Sequence, residues 1–111
     1  MMITIKTSFF EKVDEKIILI SIIGILEAIK CNAVTIDEAE KYIFSPRIIK
    51  SLRQKKCDEK IINIIERGCE LEDICSLLPE KFDEVINQLK QETIILAENY
   101  EEYGEKNWVE L

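Results

Sequence analysis

The sequence predicts an all-α protein: one compact bundle of about five helices, with a short extended segment at its N-terminus. Three observations carry that expectation. First, 111 residues, 47% of them apolar and 33% charged, supply one hydrophobic core and leave no material for a second. Second, three glycines and two prolines are too few for the many tight turns of a β-sandwich. Third, apolar residues recur at helical spacing, most clearly at Phe82, Val85, Ile86, Leu89, Thr93, Leu96, Ala97, Tyr100 and Tyr103.

The elements follow in order. Met2 to Lys6 alternates apolar and polar residues, as a short strand does, but has no partner strand and is expected to lie along the bundle. Ser8 and Glu11 have capping-box spacing and open a first helix that runs to about Lys30. Between Ile17 and Leu26 this helix is apolar nearly all round, which predicts the most buried position in the fold. Gly24 within it predicts the close approach of a neighbouring helix. Thr35 and Glu38 form a second capping box and open a short helix to about Phe44, with Ile36, Ala39 and Ile43 inward. Ser45 caps, and Pro46 starts, a third helix to about Lys56 bearing Ile48, Ile49 and Leu52. Asp58 caps a fourth, Glu59 to Arg67, with Gly68 as its expected stop. Leu71, Ile74, Cys75 and Leu78 mark a short amphipathic turn ended by Pro79, and the last helix is expected to run from Pro79 to Gly104.

Composition excludes more functions than it suggests. Histidine is absent, which removes the commonest general base, the Ser–His and Cys–His pairs and every histidine-containing zinc site. The formal charge is −7, so phosphate backbones and anionic headgroups are repelled, and nucleic acid and membrane are poor default partners. The apolar run 17–26 is ten residues long, well short of the roughly 18–20 that a bilayer needs. Acids precede it and no cleavage site follows, so it does not read as a secretion signal. A cytoplasmic location is therefore expected. Cys31, Cys57, Cys69 and Cys75 contain no CxxC pair, and free thiols without metal or cofactor are expected. Twenty-one isoleucines against four alanines suggest an AT-rich genome, hence a low-GC bacterium or its phage.

Charge is distributed unevenly. Residues 1–44 carry −2, from five basic and seven acidic side chains. Residues 45–60 carry +4, from six basic and two acidic. Residues 61–111 carry −9, from four basic and thirteen acidic. The basic run (Arg47, Lys50, Arg53, Lys55, Lys56 and Lys60) is the one place where a polyanion could land. A helix-turn-helix over 71–92 would present Glu80, Asp83, Glu84 and Glu92 to phosphate, which argues against it. The acidic stretch Glu66, Glu70, Glu72 and Asp73, continued by Glu80, Asp83 and Glu84, is the candidate site: a solvated face or a surface that attracts a basic protein. It lacks EF-hand spacing and any companion group for acid–base catalysis.

Two further features stand out. Ile95 falls among Glu84, Gln88, Gln91, Glu98 and Glu102 on the outer face of the last helix, and needs cover from a partner or from the chain's own termini, where Trp108, Val109, Ile3 and Ile5 are available. The string Asp-Glu-Lys-Ile-Ile occurs at 14–18 and again at 58–62, a match that decays within a few residues and suits acids at helix starts better than duplication.

At 68–79 (Gly-Cys-Glu-Leu-Glu-Asp-Ile-Cys-Ser-Leu-Leu-Pro), with Asp37 to Glu40 and Phe44 to Arg47 upstream, the chain resembles a small bacterial family of unknown function. That family is about this long and is found mainly in low-GC Gram-positive bacteria. The resemblance implies a helical domain and brings no activity or functional residues. The reading that fits best is a non-enzymatic acidic module that binds a basic protein, in the manner of an immunity protein or antitoxin. The alternative is a nucleic-acid-associated regulator using 45–60. The oligomeric state is open, a homodimer included.

Overall fold

A computed structural model of the chain describes residues 12–100. Among the described residues six α-helices succeed one another: α1 (Lys12–Lys30), α2 (Ile36–Tyr42), α3 (Pro46–Gln54), α4 (Glu59–Gly68), α5 (Leu71–Leu77) and α6 (Phe82–Glu98), with a 3₁₀ turn at Pro79–Lys81. The expectation of about five helices is corrected. Four elements (α1, α3, α4 and α6) have nine residues or more, whereas α2 and α5 are seven-residue helices packed against each other. No strand occurs among the described residues; the expected extended segment at 2–6 and the Ser8 capping box lie outside them.

The backbone of the fold is the pair α1 and α6. They run antiparallel, as the cross-links Lys30 to Asn87, Glu27 to Lys90 and Glu15 to Tyr100 require. Their facing residues Leu19, Ile22, Leu26, Ile86, Leu89 and Thr93 are fully buried. Thr93 is a polar group in this core and satisfies itself by donating to the Leu89 carbonyl at 2.7 Å. On one side α4 closes the core with Ile61, Ile62, Ile64 and Ile65, and α3 backs α4 through Leu52. The central place of α1 is as expected, but its full enclosure is not: Ile20 and Ile23 stay half-buried and Gly24 is exposed. No neighbour lies within 4 Å of where a Gly24 Cβ would be, so this glycine answers no close helix. The close approach occurs at Gly68 instead, where a Cβ would run into the Phe44 ring. Gly68 is the last residue of α4 and has no positive φ, so it serves packing and is not a left-handed stop.

Helix starts obey local chemistry. Thr35 accepts from the Glu38 N–H and Glu38 reaches back to the Thr35 N–H, completing the expected box. Ser45 accepts from the Ile48 N–H, with Pro46 at the first helical position. Asp58 accepts from the Lys60 N–H at 2.8 Å. The N–H of Asp58 itself donates to Glu15 Oε2 at 2.7 Å, and Glu15 Oε1 accepts from the Tyr100 hydroxyl at 3.0 Å. Glu15 is thus a cap supplied from another helix: it takes the place of a Glu at the third position of α4, where the chain has Ile61. The two Asp-Glu-Lys-Ile-Ile copies meet at this point and do different work. Asp14 and Glu15 are buried inside α1, while Asp58 is an N-cap and Glu59 is exposed.

α1 ends at Lys30 as expected, but the other helix ends and the way the chain caps them differ from expectation. Asn32 and Lys56 adopt left-handed φ of 62° and 59°. At each, two backbone bonds close a Schellman motif: Asn32 to Ile29 and Ala33 to Ala28 after α1, Lys56 to Arg53 and Cys57 to Leu52 after α3. These caps end α3 at Gln54, short of Lys56. α2 stops at Tyr42, before Phe44. Pro79 starts a 3₁₀ turn, so α6 begins at Phe82, and it ends at Glu98, well before Gly104. Tyr103 and Gly104 lie outside the described residues.

Candidate functional site

The acidic residues singled out from the sequence lie mostly on the corner made by α5, the 3₁₀ turn and the start of α6. Leu71, fully buried, anchors α5 to the core. Glu70 stands at its N-cap position without a side-chain capping bond, and Glu72 and Asp73 occupy its first turn. Glu80, Asp83 and Glu84 repeat the arrangement at the 3₁₀ turn and the first turn of α6. All six are exposed. Acids at two successive helix starts complement the helix dipoles, which is reason enough for them to be stable there. Glu66 departs from the group: it lies on α4, 3.4 Å from Arg53. Glu84 has Lys81 3.8 Å away.

Two features of this corner were not legible from the sequence. Leu77 is 76% exposed and Leu78 50% exposed. Leu78 shares the amphipathic spacing of Leu71 and Ile74. Its backbone leaves the helix at φ −137° and ψ 59°, which takes the side chain out of that phase. Cys75, which shares that spacing, is exposed. The second feature is a carboxylate cluster: packing of α2 on α5 brings Asp37, Glu40 and Glu72 together, each offering an oxygen within 4.8 Å of the others. Glu40 Oε1 is buried with no hydrogen-bond partner. A proton held on one carboxyl lets it donate to the other. Contact with Glu72 accordingly raises the Glu40 pKa, and burial and the charges of Glu72, Asp37 and Asp73 push the same way. Three such oxygens could ligate a hard divalent cation, although exposed acids also cluster without one.

Several of the other charged groups pair with each other. Arg67 forms a two-pronged pair with Glu92 at 2.8 and 2.7 Å, which lowers the Glu92 pKa and ties α4 to α6. Lys90 lowers Glu27 in the same way. Within the basic run, Arg53 lies between Glu59 and Glu66, so one of its strongest candidates for a polyanion is neutralised internally. The four thiols are free. Cys57 is buried and its thiol is pushed up to about 12, chiefly by burial and then by Glu15 and Asp58, which makes it a poor nucleophile.

Ile95 is on the outer face of α6 and 59% exposed. It does not stand alone. With Ile64 and Leu96 it lines a groove of about 460 Å³ along the seam of α4 and α6, edged by Glu59, Lys60 and Glu92. No helix among the described residues is long and apolar enough to cross a membrane.

Among known families, one described as a protein of unknown function (DUF3969) has a model that matches residues 11–110 of the chain. No curated protein and no solved structure matches.

Proposed function

The chain belongs to the DUF3969 family, whose description assigns no activity, and from its own surface we propose that it is a non-enzymatic module whose α5–α6 corner binds a basic protein. The observation that carries this reading is Leu77, three-quarters exposed, flanked in the chain by six exposed carboxylates on Glu70, Glu72, Asp73, Glu80, Asp83 and Glu84. Isolated exposed leucines are ordinary, but Leu77 and Leu78 are adjacent, and acids surround them on both sides in the chain. An apolar centre with a charged rim is the anatomy of a protein-binding patch. The rim's sign selects basic partners and speeds their encounter. A toxin masked by its immunity protein is one form such a partnership takes.

Surface plasmon resonance against the partner captured from the native host tests it. Glu70→Lys, Glu72→Lys and Asp73→Lys together should slow association roughly 10-fold or more at low salt and flatten its salt dependence. Leu77→Asp should instead speed dissociation. The fold should persist in both variants, because exposed charges contribute only about 0–1 kcal/mol each. An acidic partner, or an on-rate indifferent to salt and to the triple change, overturns the proposal.

A further inference from the structure

The groove on the α4–α6 seam has an apolar floor, Ile64, Ile95 and Leu96, and among these Ile95 is more than half exposed. Ile95 lies on the outer side of α6, in line with Glu84, Gln88 and Gln91, and there it opens onto a groove that can take an occupant. The described chain leaves α6 beside one end of this groove. Tyr100 donates to the same Glu15 carboxylate that accepts from the Asp58 N–H, and the next two residues after Asp58, Glu59 and Lys60, edge the groove. We propose that the groove is the docking site of the chain's own segment 105–111, with Trp108 seated against Ile95 and Val109 beside it.

Reach, chemistry and charge agree with this occupant. Ile95 is five residues before Tyr100, about 7.5 Å back along the helix. The eight residues from Tyr100 to Trp108 extend to about 26–29 Å, enough to travel outward, reverse and return. Gly104, midway, is the residue that reverses direction at least steric cost. Trp108 is the chain's one tryptophan, and a large flat ring suits a groove of about 460 Å³. Segment 105–111 brings one lysine, Lys106, between Glu105 and Glu110, and the groove edge brings Lys60 with Glu59. The Glu92 charge on the other edge is already met by Arg67. A net −1 segment therefore enters without meeting a block of like charge. The N-terminal segment, with Phe9 and Phe10, is the competing occupant within the chain, and a second copy is the competitor outside it.

The single tryptophan makes the test direct. Its fluorescence in the full chain is compared with that of free N-acetyltryptophanamide, together with quenching by acrylamide. The expected result is emission shifted to the blue and weaker quenching, both independent of protein concentration. Ile95→Asp should move emission to the red and raise quenching toward the free value. Gln88→Asp, on the same helix face but not lining the groove, should leave both unchanged. Far-UV circular dichroism checks that each variant stays folded, which the exposure of both positions allows. Emission equal to the free compound overturns the proposal. So does blue emission that ignores Ile95→Asp, which seats Trp108 elsewhere and leaves the groove to the N-terminal segment. A shift that appears only as concentration rises also overturns it, in favour of a second copy.

Discussion

Glu40 illustrates how one side chain can hold a cost that its neighbours impose. Its carboxyl sits against Glu72, with Asp37 and Asp73 nearby, and its pKa is raised above the usual carboxylate range. A carboxyl whose pKa is higher folded than unfolded keeps its proton longer in the folded state. Its contribution favours folding below the unfolded pKa and is lost as pH rises through the folded one. Glu40→Gln removes that titration and leaves an amide able to donate to Glu72. The variant should be more stable than the parent at pH 7, by up to about 1 kcal/mol because the site is partly solvated, and the gain should vanish near pH 4. Urea midpoints at the two pH values measure it. None of this was readable beforehand, because Asp37 and Glu40 are more than thirty residues from Glu72 and only the packing of α2 on α5 brings them together.

Among the elements, the starts of α2, α3 and α4 were legible, whereas most helix ends other than that of α1 at Lys30 were less so, for a physical reason. A start is announced by side chains that accept from their own backbone, and Thr35, Ser45 and Asp58 all do so where expected. An end is announced by glycine, and this chain uses other residues at the left-handed position. Asn32 tolerates that conformation, whereas Lys56 bears its steric cost. Lys56→Gly should accordingly stabilise the protein by about 0.5–1 kcal/mol, read as a rise in thermal midpoint with the α3–α4 junction unchanged. A loss of stability would show that the Lys56 side chain contributes more than its backbone strain costs. Gly68 does close α4, as its place suggests, but not through a left-handed φ. Glycine after a helical run reads as a stop, yet here it makes room for Phe44, a residue twenty-four positions earlier.

For the whole molecule, the all-α class and the inward faces of α2, α3, α4 and α6 followed from apolar periodicity alone, since burial of an amphipathic stripe is what fixes a bundle. The corner at α5 was legible in its charge but not in its apolar centre, because Leu78 lies where the helix has already ended. The burial of Glu15 was also hidden: an acid near a helix start ordinarily meets the dipole in water, and this one is turned inward. That single carboxylate has a consequence for exchange with solvent. Amide protons at the first positions of a helix have no acceptor within it and ordinarily trade with deuterium through small local openings. The Asp58 proton can do so only when α4 parts from Glu15, which Tyr100 also holds. Its exchange in the native protein should therefore be as slow as that of the core amides of Ile62 and Leu89, while the proton of Thr35, bonded only within its own turn, exchanges quickly. Glu15→Ala should bring the Asp58 rate to that of Thr35. Exchange at Asp58 thus reports whether three helices distant in the chain are separating together, and an amide at a helix start becomes a gauge of the opening of the entire bundle.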